Sequence, residues 1–172
     1  MTIELAPSLF PLVWFDQIDL SVANDCLQTW GHLMGPINRP MNGSVVSGGG
    51  DTAHGLVLDG VLQAVTVTST LIRENVAQHP EMTRENTIEL SRLCSLSPHL
   101  CRVALRLWRE SVFRPLRYRF AISYQDLDRH TGNTYRLDGW KVIARSRSGT
   151  DTRSGRPGRR KAIWMFENME VA

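Results

Sequence analysis

Apolar positions along this chain change their period several times, and each change marks an element. Over residues 16–34, Ile18, Val22, Cys26 and Trp30 recur every four residues, which predicts a helix ending at Gly35-Pro36. Residues 35–51 are rich in Gly, Pro and Asn and include Gly48-Gly49-Gly50, a connector or a lid over a site. The period then drops to two. Segments 54–58 and 61–72 read as strands flanking Asp59-Gly60, the dipeptide of a tight hairpin. Residues 73–85 are polar, contain Pro80 and read as a loop, and 87–94 return to a strand pattern. Ser97-Pro98 supplies a cap and a proline at the first helical position. From there Leu100, Val103, Ala104, Leu107, Trp108 and Val112 form a helical stripe that Pro115 stops. A strand over 120–124, a small helix over 131–137, a strand over 140–144 carrying Trp140, Val142 and Ala144, and a closing strand over 162–166 complete the pattern. Helices alternating with the later strands imply a mixed α/β fold with a partly parallel sheet flanked by helices. At 172 residues, 1–172 is expected to form one domain with a core of its own.

Composition narrows the class. Hydrophobic residues make up 42% of the chain, but the longest apolar runs are broken by Thr, Gln or Arg, so no membrane partner is expected. The first twenty residues lack a basic stretch and carry acids early, unlike a secretory signal, so a cytoplasmic location is expected. Cys26, Cys94 and Cys101 show no metal-type spacing and are read as buried free thiols. Charge is segregated: residues 1–83 hold two basic side chains against eight acids, a net of −6, and residues 84–172 hold eighteen against nine, a net of +9. Eighteen of the twenty basic residues are Arg, whose planar fork suits phosphate and stacks on bases.

Several positions are chemically informative. Strict alternation along 88–93 places Glu89, Ser91 and Leu93 on one face and Leu90 and Arg92 on the other. Arg92 in an inner strand requires an ion pair or a cleft. Asp126 lies at the carboxyl end of a strand, where ligands of open α/β sheets collect, or else caps the small helix. Tyr135 on that helix is a candidate proton donor or a core aromatic. The basic segment 145–161, with Arg145, Arg147, Arg153, Arg156, Arg159, Arg160 and Lys161 against Asp151, is read as a loop that binds nucleic-acid phosphates or as a solvated linker.

The segment SYQD followed by HTGNTYRLDGW, residues 123–140, resembles the SYAD…HxGxIYxAxxW pattern of the phage Mom DNA-modification proteins, a divergent branch of the GNAT acyltransferases. Strand IELSRL, 88–93, resembles the E-L-x-R-L strand of the same proteins. The resemblance spans most of 28–166 and implies a GNAT-like domain that moves an acyl group from acetyl-CoA or another acyl-CoA to a nucleobase amine in DNA, adenine N6 in the family, protecting phage DNA from restriction. The site residues so implied are Asp126 as base, Tyr135 as acid or thioester contact, Arg92 as anion binder and His32, which with Tyr135 would be the metal candidates, although one His and one Tyr make a poor metal signature. The donor would be held by Leu93, Ser95, Ser97, His99, Leu100 and Tyr135. Here the chain departs from the usual GNAT pattern, because Ser95-Leu96-Ser97-Pro98-His99-Leu100 contains no glycine. The location implied is the host cytoplasm if the chain is phage-encoded. Two rivals stay open: an N-acetyltransferase acting on a small-molecule, protein or DNA-attached amine, and a non-catalytic nucleic-acid-binding protein on a decayed transferase fold. The sequence does not fix the oligomeric state; a homodimer is one arrangement compatible with it.

Overall fold

The computed structural model describes residues 12–37, 51–71, 76–146 and 159–171. The Gly48-Gly49-Gly50 segment and Arg147, Arg153 and Arg156 lie outside the described residues. The elements run β1 (Val13–Ile18), α1 (Leu20–Thr29), β2 (Thr52–Leu58), β3 (Val61–Thr70), β4 (Thr87–Ser95), α2 (Pro98–Trp108), β5 (Phe120–Asp126), α3 (Asn133–Arg136), β6 (Lys141–Ser146) and β7 (Lys161–Glu167). They build one seven-stranded sheet in the order β1-β2-β3-β4-β5-β7-β6. Only β4 and β5 pair in parallel, which the intervening α2 crossover makes possible.

Local chemistry explains most boundaries. Asp59 and Gly60 both have positive φ, 48° and 80°, as a two-residue turn between β2 and β3 requires. Pro98 opens α2, whose residues Leu100, Ala104, Leu105 and Trp108 are buried, with Val103 facing out. A wider turn over Arg109–Phe113 continues the helix and buries Val112 and Phe113. Trp108 is fully buried, and its indole N–H donates to Thr68 Oγ1 at 2.7 Å, tying α2 to the face of β3 beneath it.

Two expectations near the amino end are corrected. Residues 13–18 form an antiparallel edge strand on β2, and the helix starts only at Leu20. Its buried positions are Ala23 and Leu27, with Val22 exposed. Edge strand β1 is half wetted, so its VWFDQI pattern has no clean alternation to read. Strand β6 reaches Ser146, so Arg145 is a strand residue paired with Ala162, and Lys161 opens β7. A bulge between Val142 and Ala144 leaves Ile143 as an extra residue, so 142 and 144 no longer share a face; Ile143 packs against the cluster that holds Phe120 and Ile122, and Val142 is exposed.

Two layers of core flank the sheet. On one face α1 covers Val65, Val67 and Cys94, and Leu71, Val76 and Met82 cover Phe120 and Ile122. On the other, α2 and α3 cover Ile88, Leu90, Ala121 and Trp164.

Candidate active site

The site begins with a parting of two strands. β4 and β5 pair only from Thr87 opposite Phe120 to Leu90 opposite Ser123. Both strands continue, β4 to Ser95 and β5 to Asp126, but they no longer pair with each other. The cause is local. Val67 pairs with Arg92 and Thr68 with Leu90, so Ser91 is an extra residue on β4. Its hydroxyl lies 3.0 Å from Val67 O and 2.7 Å from Ser69 Oγ, which fixes the bulge. The bulge also resets the facing of the strand, contrary to strict alternation. Leu90 and Leu93 both pack toward α2, whereas Arg92 and Cys94 point toward α1.

A cleft of about 1600 Å³ opens at the parting and touches both faces of the sheet. Arg92, Asp126, Tyr135 and His32 all line it, as do Leu93, Ser95 and His99. Leu100 packs instead into the core beside Leu56 and Ala104.

On the α2 face, Tyr135 is 9% exposed and is held between Trp164, stacked at 5.5 Å and 20°, and Trp140, edge-on at 5.5 Å. Its hydroxyl is 2.9 Å from Ser123 Oγ, which itself donates to Leu90 O at 2.8 Å. Ser123 has one proton and spends it on Leu90, so Tyr135 is the donor in the first bond. Burial pushes the phenol up from 10.0 to about 12, opposed by the Ser123 hydrogen bond. The phenol therefore stays protonated at neutral pH. Its helix is anchored from the wider turn that continues α2: the buried Arg109 bonds Asp138 Oδ2 at 2.9 Å and Asp138 O at 2.7 Å, and Trp140 Nε1 donates to Asp138 Oδ2 at 3.1 Å. Burial raises the Asp138 carboxyl while Arg109 works against the rise.

On the α1 face, Arg92 is 8% exposed and donates from Nε to Gly35 O at 3.0 Å and from Nη1 to Ser91 O at 2.8 Å. His32 accepts from Met34 N–H through Nδ1 at 3.3 Å. Burial, then the charges of Arg92 and His130, lower its pKa to about 4, so it is neutral at pH 7 with its proton on Nε2. Asp126 Oδ1 accepts from Asp128 N–H at 3.0 Å, and Oδ2 lies 3.8 Å from Arg159 Nη1. Arg159 also reaches Met34 Sδ at 3.1 Å, bridging the residues that lead into β7 to the turn after α1. Among the described residues no group of three His, Cys, Asp or Glu stands together as a metal site, and His32 and Tyr135 lie on opposite faces of the sheet.

In the turn entering α2, Ser95 Oγ is 2.6 Å from Ser97 O and 3.0 Å from Cys101 Sγ, and Ser97 Oγ is 3.0 Å from His99 Nδ1. Ser97 thus occupies the cap position without its hydroxyl capping a backbone N–H. All three thiols are free; Cys94 is buried, and Cys26 and Cys101 are half-buried. Of the basic segment, Arg159 and Lys161 line the cleft, Arg160 pairs with Asp128, and Arg145 is exposed.

Sequence reasoning did not assign Ser123, the neighbour that fixes Tyr135, or Tyr124, which also lines the cleft. Both sit inside the SYQD motif, and strand parity was the available signal. Ser123 and Gln125 share the α2 face, Tyr124 and Asp126 the other.

No family model matches this chain, and no curated protein matches it in sequence. Solved structures match its fold. The ribosomal-protein-S18-alanine N-acetyltransferase of Escherichia coli superposes with a TM-score of 0.60 at 13% identity, over 91% of this chain and 94% of its own. The ribosomal-protein-S5-alanine acetyltransferase of Vibrio fischeri gives 0.62 at 8% identity, over 93% and 95%. A Bacillus subtilis acetyltransferase in complex with CoA gives 0.55 at 8% identity, over 92% and 100%. The chain has the single-domain α/β fold of the GNAT acetyltransferases, with its mixed, partly parallel open sheet.

Proposed function

We propose that this chain transfers an acyl group from an acyl-CoA donor to an amine, and that the amine is an exocyclic amino group of a DNA base. The observation that carries the transferase reading is the parting of β4 and β5 directly above Leu90, with the Tyr135 hydroxyl seated beside it through Ser123. Beyond Leu90 the edge of β4 toward β5 has no strand partner among the described residues. A donor rich in amide groups can take that place, as an added strand would. The start of α2 fits less well, since it lacks glycine and Pro98 removes one N–H. His99 and Arg102, both lining the cleft, supply polar and cationic groups there instead. Leu93, Ser95 and Tyr135 complete the donor side.

The donor supplies an activated acyl carbonyl with a thiol leaving group. Tyr135, protonated at neutral pH, turns its one proton from Ser123 to the departing sulfur, while Ser123 keeps its own bond to Leu90 O. Asp126, across the parting, accepts the proton that the amine loses as it becomes an amide. Arg92 and neutral His32 offer N–H donors on the acceptor side, where an oxygen or phosphate of the acceptor would lie. The DNA reading is supported by the SYQD…HTGNTY motif and by Arg159 and Lys161 at the mouth. It implies work in the cytoplasm, that of the host if the chain is phage-encoded, and protection of phage DNA from restriction.

A second reading, an N-acetyltransferase of a protein or small-molecule amine, is favoured by the alanine acetyltransferases that share the fold. Mass analysis of nucleosides from DNA incubated with the protein and acetyl-CoA separates the two. An acyl-shifted nucleoside that vanishes with Asp126→Ala supports DNA modification. Unmodified nucleosides beside an acetylated peptide amine select the second reading. Neither product, with normal DNA binding, points to a nucleic-acid-binding protein.

A further inference from the structure

We propose that Tyr124 is the platform on which the acceptor lies, so that the acceptor is a flat heteroaromatic amine, a nucleobase turned out of its strand. This rests on the DNA-base reading above and names how the site would recognise such a base.

The parity of β5 sets the geometry. Phe120 and Ile122 are buried on the face shared with α1 and with Leu71, Val76 and Met82, and Tyr124 and Asp126 follow on that same face. Tyr124 breaks the burial of the strand. Phe120, Ala121, Ile122, Ser123 and Gln125 are all buried, yet Tyr124 is 41% exposed and lines the cleft. Asp126 stands two residues on, about 7 Å along the strand. A ring resting on Tyr124 therefore brings its edge to the carboxylate. That carboxylate only accepts hydrogen bonds, which suits an –NH₂ on the ring edge.

The surroundings agree with a flat, charged-backbone ligand. The turn after α1 contributes Leu33 and Met34 to the cleft, and Met34 is 47% exposed. Arg159 touches Met34 Sδ at 3.1 Å and Asp126 Oδ2 at 3.8 Å, so the thioether and the carboxylate stand one guanidinium apart. The Lys161 ammonium lies over the Tyr124 ring, 6.0 Å from its centroid, so a base stacking on that face displaces it toward the phosphate that the base carries. An aliphatic amine would use the carboxylate and nothing of this aromatic and thioether surface. Stacking on an aromatic side chain is tolerant of base identity, so Tyr124 selects for a base while other contacts choose among bases.

The test uses the full chain with Tyr124→Ala, Tyr124→Phe and Tyr124→Trp. Binding is measured by anisotropy to a single-stranded oligonucleotide and to an abasic one of equal length, and acylation by KM and kcat with acetyl-CoA. Tyr124→Ala should weaken the base-bearing oligonucleotide about 10- to 100-fold, the span of one base–aromatic stack, and leave the abasic one unchanged. Its KM for the oligonucleotide should rise by a similar factor with KM for acetyl-CoA unmoved, and Phe and Trp should restore both. Equal loss on the two oligonucleotides, or loss on neither, overturns the role of Tyr124 while base modification by wild type still upholds the DNA reading. If wild type acylates aliphatic amines and no nucleobase, the DNA reading falls and this inference with it.

Discussion

The hydroxyl of Tyr135 donates to Ser123 at 2.9 Å, and Ser123 donates onward to the Leu90 carbonyl at the last paired residue of β4. A buried phenol is thereby aimed at the point where two parallel strands part. Tyr135→Phe keeps the ring between Trp140 and Trp164, so folding should change little. Acyl transfer should fall by about 100-fold or more, the contribution of a positioned acid. Because the phenol titrates near 12, no alkaline loss of wild-type activity below about pH 10 should trace to it. An activity limb near pH 8 that disappears in Tyr135→Phe would contradict this assignment.

His32 links stability to acid. Its folded pKa is about 4 against 6.5 for the free group, so the unfolded chain binds the extra proton between those values. Its contribution is full above pH 6.5, declines as pH falls, and is gone near pH 4. Urea denaturation of wild type and His32→Gln at pH 7, 5.5 and 4.5 should show a smaller loss on acidification in the variant. Parallel losses in the two proteins would show that His32 is solvated.

Gly132 holds the entry to α3 by lacking a side chain. Its φ is +77°, and an added Cβ would stand 2.6 Å from both Gln125 Oε1 and Trp164 Cζ2. Those atoms are bonded to one another's side chains, with Trp164 Nε1 donating to Gln125 Oε1 at 2.7 Å, so neither gives way easily. Gly132→Ala should cost about 1–3 kcal/mol of stability and displace Tyr135, lowering kcat more than donor affinity. Unchanged melting and unchanged kcat would mean that the loop adapts.

The sequence already contained the elements that rest on local chemistry. Asp59-Gly60, Pro98 in the first turn of α2 and the α2 stripe apart from exposed Val103 each act through a few neighbouring residues, and the β4–α2–β5 order implied the parallel pair that is observed, whereas Ser97 holds the cap position without the side-chain cap expected of it. What depends on partners across the sheet was hidden. The Ser91 bulge exists only in register with β3, and it moved Leu93 to the face opposite the one that alternation assigns. Strand β1 was masked because an edge strand wetted on both faces has no buried alternation. The anchoring pair Arg109 and Asp138 lies 29 residues apart and joins elements that only the fold brings together.

DNA affinity should respond to salt through the mouth of the cleft. Arg159 and Arg160 are paired with Asp126 and Asp128, so a phosphate must compete with those carboxylates. Replacing both arginines by Ala should lower the log–log salt slope by about 2, roughly 0.9 per lost phosphate contact, and weaken all sequences alike. A slope equal to that of wild type at every salt concentration would remove these two residues from the interface.

Acyl transfer itself is read most directly by the release of free CoA thiol from acetyl-CoA when DNA is added to the purified protein. The expected result is thiol release dependent on DNA, matched one for one by acylated base, and lost in both Asp126→Ala and Tyr135→Phe while the two variants stay folded. Thiol release by folded wild type no faster than in buffer, with DNA and with a panel of peptide and small-molecule amines alike, would contradict it.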